Sequence, residues 1–149
     1  MKKIIIITTI LLIVLSACKK NSYKNYEGTY DIKSNGTLNI LYTDTTIVDE
    51  PGFVIIRKGE NSDEIFMYIE TQFVTGTAPL GVYATAKVEG NTYKMEARNV
   101  AINLIDGFPL TINIDATGTL SDDNKTLTSE IVFSGIVSGT MTSVGIKRE

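Results

Sequence analysis

Leu110-Thr111-Ile112-Asn113-Ile114-Asp115-Ala116-Thr117-Gly118-Thr119-Leu120 alternates small or apolar side chains with polar ones along its whole length. A period of two marks a strand with one buried face, whereas a helix would repeat every 3.6 residues. The pattern extends outward from this run. Val82, Ala84, Ala86 and Val88 alternate with Tyr83, Thr85, Lys87 and Glu89, and Tyr93, Met95 and Ala97 with Lys94, Glu96 and Arg98. The apolar phase then slips to Val100, Ile102 and Leu104. A one-residue slip inside a continuous run predicts a β-bulge, here at Arg98–Asn99.

Turn-forming residues bound these runs at fairly even spacing. They are Ser34-Asn35-Gly36, Glu50-Pro51-Gly52, Lys58-Gly59-Glu60-Asn61, Gly90-Asn91, Asp106-Gly107 and Ser121-Asp122-Asp123-Asn124. The strands expected between them cover residues 27–33, 37–48, 53–58, 64–71, 81–89, 92–104, 110–120 and 126–147, the last as one or two. No stretch sustains a helical period. The fold class that follows is all-β: an antiparallel up-and-down β-barrel of about eight strands, with a two-sheet β-sandwich as the alternative. Evenly spaced hairpin turns favour the barrel, since a sandwich would show longer crossovers.

Composition narrows the chemistry. The 149 residues suit one domain. They include no His, which removes the usual general base and the commonest zinc ligand, and one Cys, which removes internal disulfides. Adjacent acidic residues (Asp49-Glu50, Asp63-Glu64, Asp122-Asp123) point to opposite faces of a strand or lie in turns, so none makes a facing carboxylate pair. Asp122-Asp123-Asn124 lacks the spacing of an EF-hand. No Gly-x-Ser-x-Gly elbow and no phosphate-cradling glycine loop is present. With a pI near 5.0 the chain is also poorly suited to nucleic acid. The expectation is a protein that is not an enzyme and uses no cofactor or metal.

Residues 1–18 carry a sharper signal. Lys2 and Lys3 precede an apolar run over residues 4–15, interrupted by Thr8 and Thr9, and Leu15-Ser16-Ala17-Cys18 closes it. Twelve residues are too few to cross a bilayer, which takes about 20, but suit the core of a secretory signal. Leu-Ser-Ala-Cys resembles the lipobox of bacterial lipoproteins. That resemblance implies a signal peptide over 1–17, lipid on the Cys18 thiol, and acylation of the new amino terminus. Two or three acyl chains anchor a protein stably. Residues 18–25 are polar and read as a lipidated tether, leaving 26–149 for the barrel. Loss of Lys2 and Lys3 leaves 12 basic against 17 acidic residues, a net charge of −5. Lys19 stands where the family's inner-membrane retention signal has Asp, and no acidic run follows. The resemblance therefore implies the outer membrane, facing the periplasm.

Tyr26-Glu27-Gly28-Thr29-Tyr30, the Gly118–Thr128 stretch and Gly135-Ile136-Val137-Ser138-Gly139-Thr140-Met141 together resemble the calycin-like, or lipocalin-like, domains of small bacterial lipoproteins. The family is an antiparallel barrel thought to bind lipids or other small apolar molecules. Lipocalins place Gly-x-Trp on the first strand, with an Arg from the last strand on the Trp. Here Gly28-Thr29-Tyr30 and Arg148 hold those places, so the resemblance implies a plug of Tyr30 and Arg148 at the closed end. In that case the strand holding residues 144–148 pairs beside the first strand, and Lys147 or Arg148 lies within about 6 Å of the Tyr30 ring.

Flexible and aromatic side chains are the expected lining of an apolar pocket. The candidates are Tyr42, Met67, Met95, Phe133 and Met141 with Ile112 and Ile114, alongside Phe66. Ala84, Ala86, Ala97, Ala116 and Gly118 would leave room for a ligand or let a narrow barrel fill itself. The expected function is non-enzymatic binding of a small hydrophobic ligand or lipid. The alternative is an accessory or assembly lipoprotein that recognises a protein or glycan through its β surface.

Overall fold

The computed structural model describes residues 23–71, 80–105 and 108–149, with backbone alone for 103–105 and 108–109. One helical turn, α1 (Tyr23–Tyr26), precedes eight strands: β1 (Gly28–Ile40), β2 (Thr43–Lys58), β3 (Glu64–Thr71), β4 (Leu80–Glu89), β5 (Thr92–Ile105), β6 (Phe108–Leu120), β7 (Thr126–Gly135) and β8 (Val137–Lys147). They form a closed barrel in sequence order, each strand antiparallel to its neighbours. β1 closes on β8 from Tyr30↔Lys147 to Ile40↔Val137. This is the barrel and not the sandwich, and the β1–β8 pairing joins the two strands that would be the outer edges of an open sheet. The expected signal segment, Cys18 and the Asp106-Gly107 turn lie outside the described residues. Residues 23–25, read as the end of the tether, instead join Tyr26 in α1.

Alternation sets which side chains enter. β4 is the cleanest, with Leu80, Val82, Ala84, Ala86 and Val88 buried and every residue between them exposed. On β6, Ile112, Ile114 and Ala116 are buried while Thr111 and Thr117 are exposed, as the reading of that stretch predicts. The bulge falls where the phase slips. Ala97 pairs with Ile114 and Val100 with Ile112, so Arg98 and Asn99 together face Asn113. Asn99 takes a φ of 55°.

Two expected turns lie inside strands instead. Ser34-Asn35-Gly36 continues β1, and Glu50-Pro51-Gly52 continues β2. They meet at a second bulge, where Val48 and Asp49 face Asn35. Asp49 has a φ of 49°. The two bulges are built alike. The Asp49 N–H donates to Asn35 Oδ1 at 2.9 Å, and the Asn99 N–H to Asn113 Oδ1 at 3.0 Å. In each, the amide freed by the extra residue is satisfied by an Asn from the facing strand. The true β1–β2 turn is Leu41-Tyr42, with φ of 49° and 70°. Two positive angles suit the twist of a two-residue hairpin, but neither residue is one that turn chemistry favours.

Candidate functional site

One end of the barrel is shut by tyrosines. Tyr26 and Tyr30 are fully buried there, and the Tyr30 hydroxyl donates to the Tyr26 carbonyl at 2.9 Å. Tyr26 meets Tyr93 edge-on, with ring centroids 6.4 Å apart. The Tyr93 and Ser129 hydroxyls hydrogen-bond at 2.6 Å. Gly118 makes this possible, because a Cβ there would collide with the Tyr93 ring and the Thr128 carbonyl. Burial pushes the Tyr30 phenol up to about 12 and also raises those of Tyr26 and Tyr93.

The plug forms with a different cation from Arg148. Lys147 Nζ stands 5.6 Å from the Tyr30 ring centroid and donates to the Asn25 carbonyl at 3.2 Å. Tyr30↔Lys147 pairing puts both on one face of the sheet, while Arg148, one residue on, points outward. There it pairs with Asp31, Nε to Oδ1 at 3.0 Å, and covers the Phe53 ring at 5.9 Å.

Above the plug, Ile56, Ile65, Met67, Ala84, Ala86 and Ala116 are buried in the continuous core. Nearer mid-barrel lies an apolar cavity of about 30 Å³, lined by residues from seven strands. Of the expected lining residues, Met95, Ile114, Phe133 and Met141 reach it. Met67, Ala84, Ala86 and Ile112 are buried elsewhere in the packed core, where small residues serve barrel filling. Tyr42 is 98% exposed at the tip of the β1–β2 turn, because the strand ends before it. Phe66 pairs with Thr85 on the outer face and is also exposed. The volume suits a water molecule or two and falls short of an acyl chain in this packing.

Seven of the lining residues were not among those candidates, and two of the seven are polar. Ser34 and Thr71 are buried, and neither hydroxyl has a hydrogen-bond partner. The wall beside them is also the least knitted. β4 pairs with β5 only from Ala86↔Met95 to Glu89↔Thr92, so Leu80–Thr85 has no β5 partner. Leu80, Val82 and Met95 border the cavity along that seam. Asp122-Asp123-Asn124 forms a turn, with Asp123 accepting from Ser121 and from the Lys125 N–H. Among the described residues no cluster of acidic, His or Cys side chains could hold a metal.

The outer wall carries a second feature. Phe53, Tyr68, Tyr83 and Phe66 form a row across β2, β3 and β4, with successive centroids 5.8, 4.6 and 5.8 Å apart. Gly81 gives the Tyr68 ring its place: a Cβ there would come within 2.9 Å of the phenol oxygen. That phenol donates to Glu70 at 2.6 Å, and the bond pushes it up to about 12.

No family model and no curated protein matches the sequence. Solved structures do. A redesigned β-barrel, b11L5F_LGL, superposes with a TM-score of 0.61 over 87% of this chain and 96% of its own, at 10% identity. A second redesigned β-barrel, mFAP0 bound to DFHBI, gives 0.58 over 83% and 99%, at 11% identity. At such identities the likeness shows the fold.

Proposed function

We propose that the chain is a lipid-anchored, non-enzymatic barrel that holds a small apolar molecule inside. The observation that carries this reading is the asymmetry of the interior: one end sealed by tyrosines, and a cavity above it with two unpartnered hydroxyls. Met95 and Met141 on the cavity wall are unbranched thioethers that can repack around a guest. The similar barrel mFAP0 holds DFHBI, which supports the architecture as a container. The address follows from the lipobox: Cys18 is the acylated residue, and the outer membrane's periplasmic face is the location.

Anchoring at Cys18 would also orient the barrel. Five residue steps separate Cys18 from Tyr23, a reach of at most about 18 Å. Tyr23 lies at the tyrosine-sealed end, where Lys58 Nζ stands 5.6 Å from its ring. The sealed end would then sit nearest the membrane and Leu41-Tyr42 farthest from it.

Native mass spectrometry of the protein purified from its own cell tests the reading. A co-purifying mass of an apolar small molecule, lost when Val82→Phe fills the cavity, is the expected result. No such mass, together with no uptake of apolar probes, would reject it. Acyl labelling tests the anchor: Cys18→Ser is expected to abolish it.

The outer aromatic row favours a second reading, recognition of a protein or glycan through the β2–β4 face. Tyr83 and Phe66 are exposed there at 67% and 37%. Loss of partner capture by Tyr83→Ala, with the cavity unaffected, would select it.

A further inference from the structure

Ser34 and Thr71 line the same cavity from β1 and β3, the strands on either side of β2. Ile32, Gly52 and Thr71 are register partners across β1, β2 and β3, and Ser34 is the next inward residue on β1. Gly52 leaves a gap in that row. A Cβ there would lie 3.1 Å from Thr71 Cβ and 3.2 Å from Ile32 Cγ1. Both hydroxyls are buried, at 1% and 6% exposure, on the wall of an otherwise apolar cavity, with no protein partner. A fold that needed only a filled core would place Ala and Val here, since an unmade buried hydrogen bond is a standing cost.

The surrounding charge limits what could complete them. No charged residue is among the buried polar residues described, which are Ser34, Thr71, Ser129 and Ser143. Glu50 pairs with Ser34 across β1–β2, so its half-buried side chain belongs to the same face. Lys58 and Lys147 lie at the sealed end, over Tyr23 and Tyr30. A carboxylate brought to Ser34 and Thr71 would lose its hydration, meet no cation and stand near Glu50. A neutral oxygen loses far less and accepts or donates two hydrogen bonds.

We infer that Ser34 and Thr71 are the head-group site of the barrel's ligand, selecting an apolar molecule with a neutral hydroxyl or carbonyl over one with a carboxylate. This rests on the container reading above. Met95, Met141 and Phe133 face the apolar body of the guest and move to admit it.

The full chain in lipid nanodiscs is titrated at pH 8 with radiolabelled 1-dodecanol and with dodecanoate, subtracting empty nanodiscs. The alcohol is expected to bind about tenfold tighter or more, the worth of two neutral hydrogen bonds. Ser34→Ala with Thr71→Val should remove that preference while the far-ultraviolet spectrum stays that of a barrel. Thr71→Val alone serves if the double variant does not fold. Equal binding of both probes, or a preference that survives the substitutions, overturns the head-group site and leaves the container standing. Failure of both probes to bind the unmodified chain overturns the two together.

Discussion

The sealed end and the cavity level of this barrel are made from the same alternating strands, yet they treat polar groups in opposite ways. At the sealed end bulk is matched to gaps: Gly118 admits the Tyr93 ring, and the hydroxyls of Tyr30 and Tyr93 are spent on the Tyr26 carbonyl and Ser129. The Tyr26 hydroxyl is the exception, buried without a partner. At the cavity level Ser34 and Thr71 are left unpaired, Gly52 leaves a gap, and the β4–β5 seam is only partly bonded. On this packing the first region should carry more of the stability. The second gives up packing, as sites for guests commonly do.

The largest expected difference appears in alkali. A phenol whose folded value is raised favours the fold fully below its unfolded value near 10, and that contribution is lost as pH rises toward the folded value. With Tyr30 at about 12, and Tyr26 and Tyr93 also raised, the sealed end should come apart between about pH 10 and 12. Tyrosinate absorbance and circular dichroism followed together should show a late group of phenols ionising with loss of strand signal. Ionisation of all phenols before that loss would show that the plug does not hold the barrel shut.

Truncating the plug comes next. Tyr30→Ala removes a fully buried ring and its hydrogen bond, and should cost about 3–5 kcal/mol in denaturant unfolding. A cost under about 1 kcal/mol would move the main support of the fold elsewhere.

Adding bulk separates the two regions more finely. Ala86→Leu places extra carbons in the packed core, where Ala86 is 1% exposed, and should cost about 1–3 kcal/mol. Val82→Leu, two inward positions along the same strand, points at the cavity, and should cost less than Ala86→Leu, under about 1 kcal/mol, because the added carbon has space to enter. Equal penalties would mean that the cavity does not yield.

How much of this was legible in the sequence depends on what writes each feature. Inward positions on β4 and β6 were readable because a strand alternates faces with no exceptions to allow for. The Arg98–Asn99 bulge was readable because it shifts that alternation. The bulge at Asn35 and Asp49 was hidden, since Ser-Asn-Gly and Glu-Pro-Gly spell turns when each is read alone. Only their pairing across two strands makes them a bulge. Leu41-Tyr42 was hidden for the converse reason, a turn built from residues that turn chemistry disfavours. At the site, Met95, Ile114, Phe133 and Met141 were legible as apolar lining. Ser34 was not: it lay within an expected turn, and the inward row that reveals it exists only once β1 runs through.

The smallest expected effect has the opposite sign. Thr71→Val replaces a buried hydroxyl without a protein partner by a methyl group, and Ser34→Ala replaces one by hydrogen. A hydroxyl in this state keeps its desolvation cost and recovers no hydrogen bond, so its removal should stabilise the empty barrel by up to about 1 kcal/mol. Ser34→Ala also enlarges the cavity slightly, which takes back part of the gain. Thr71→Val conserves shape and is the cleaner probe. Their effects should be less than additive if one water bridges the two hydroxyls, because the first substitution already releases it. Destabilisation by Thr71→Val would show that the empty protein satisfies this hydroxyl with ordered water, and that a guest must displace that water to bind.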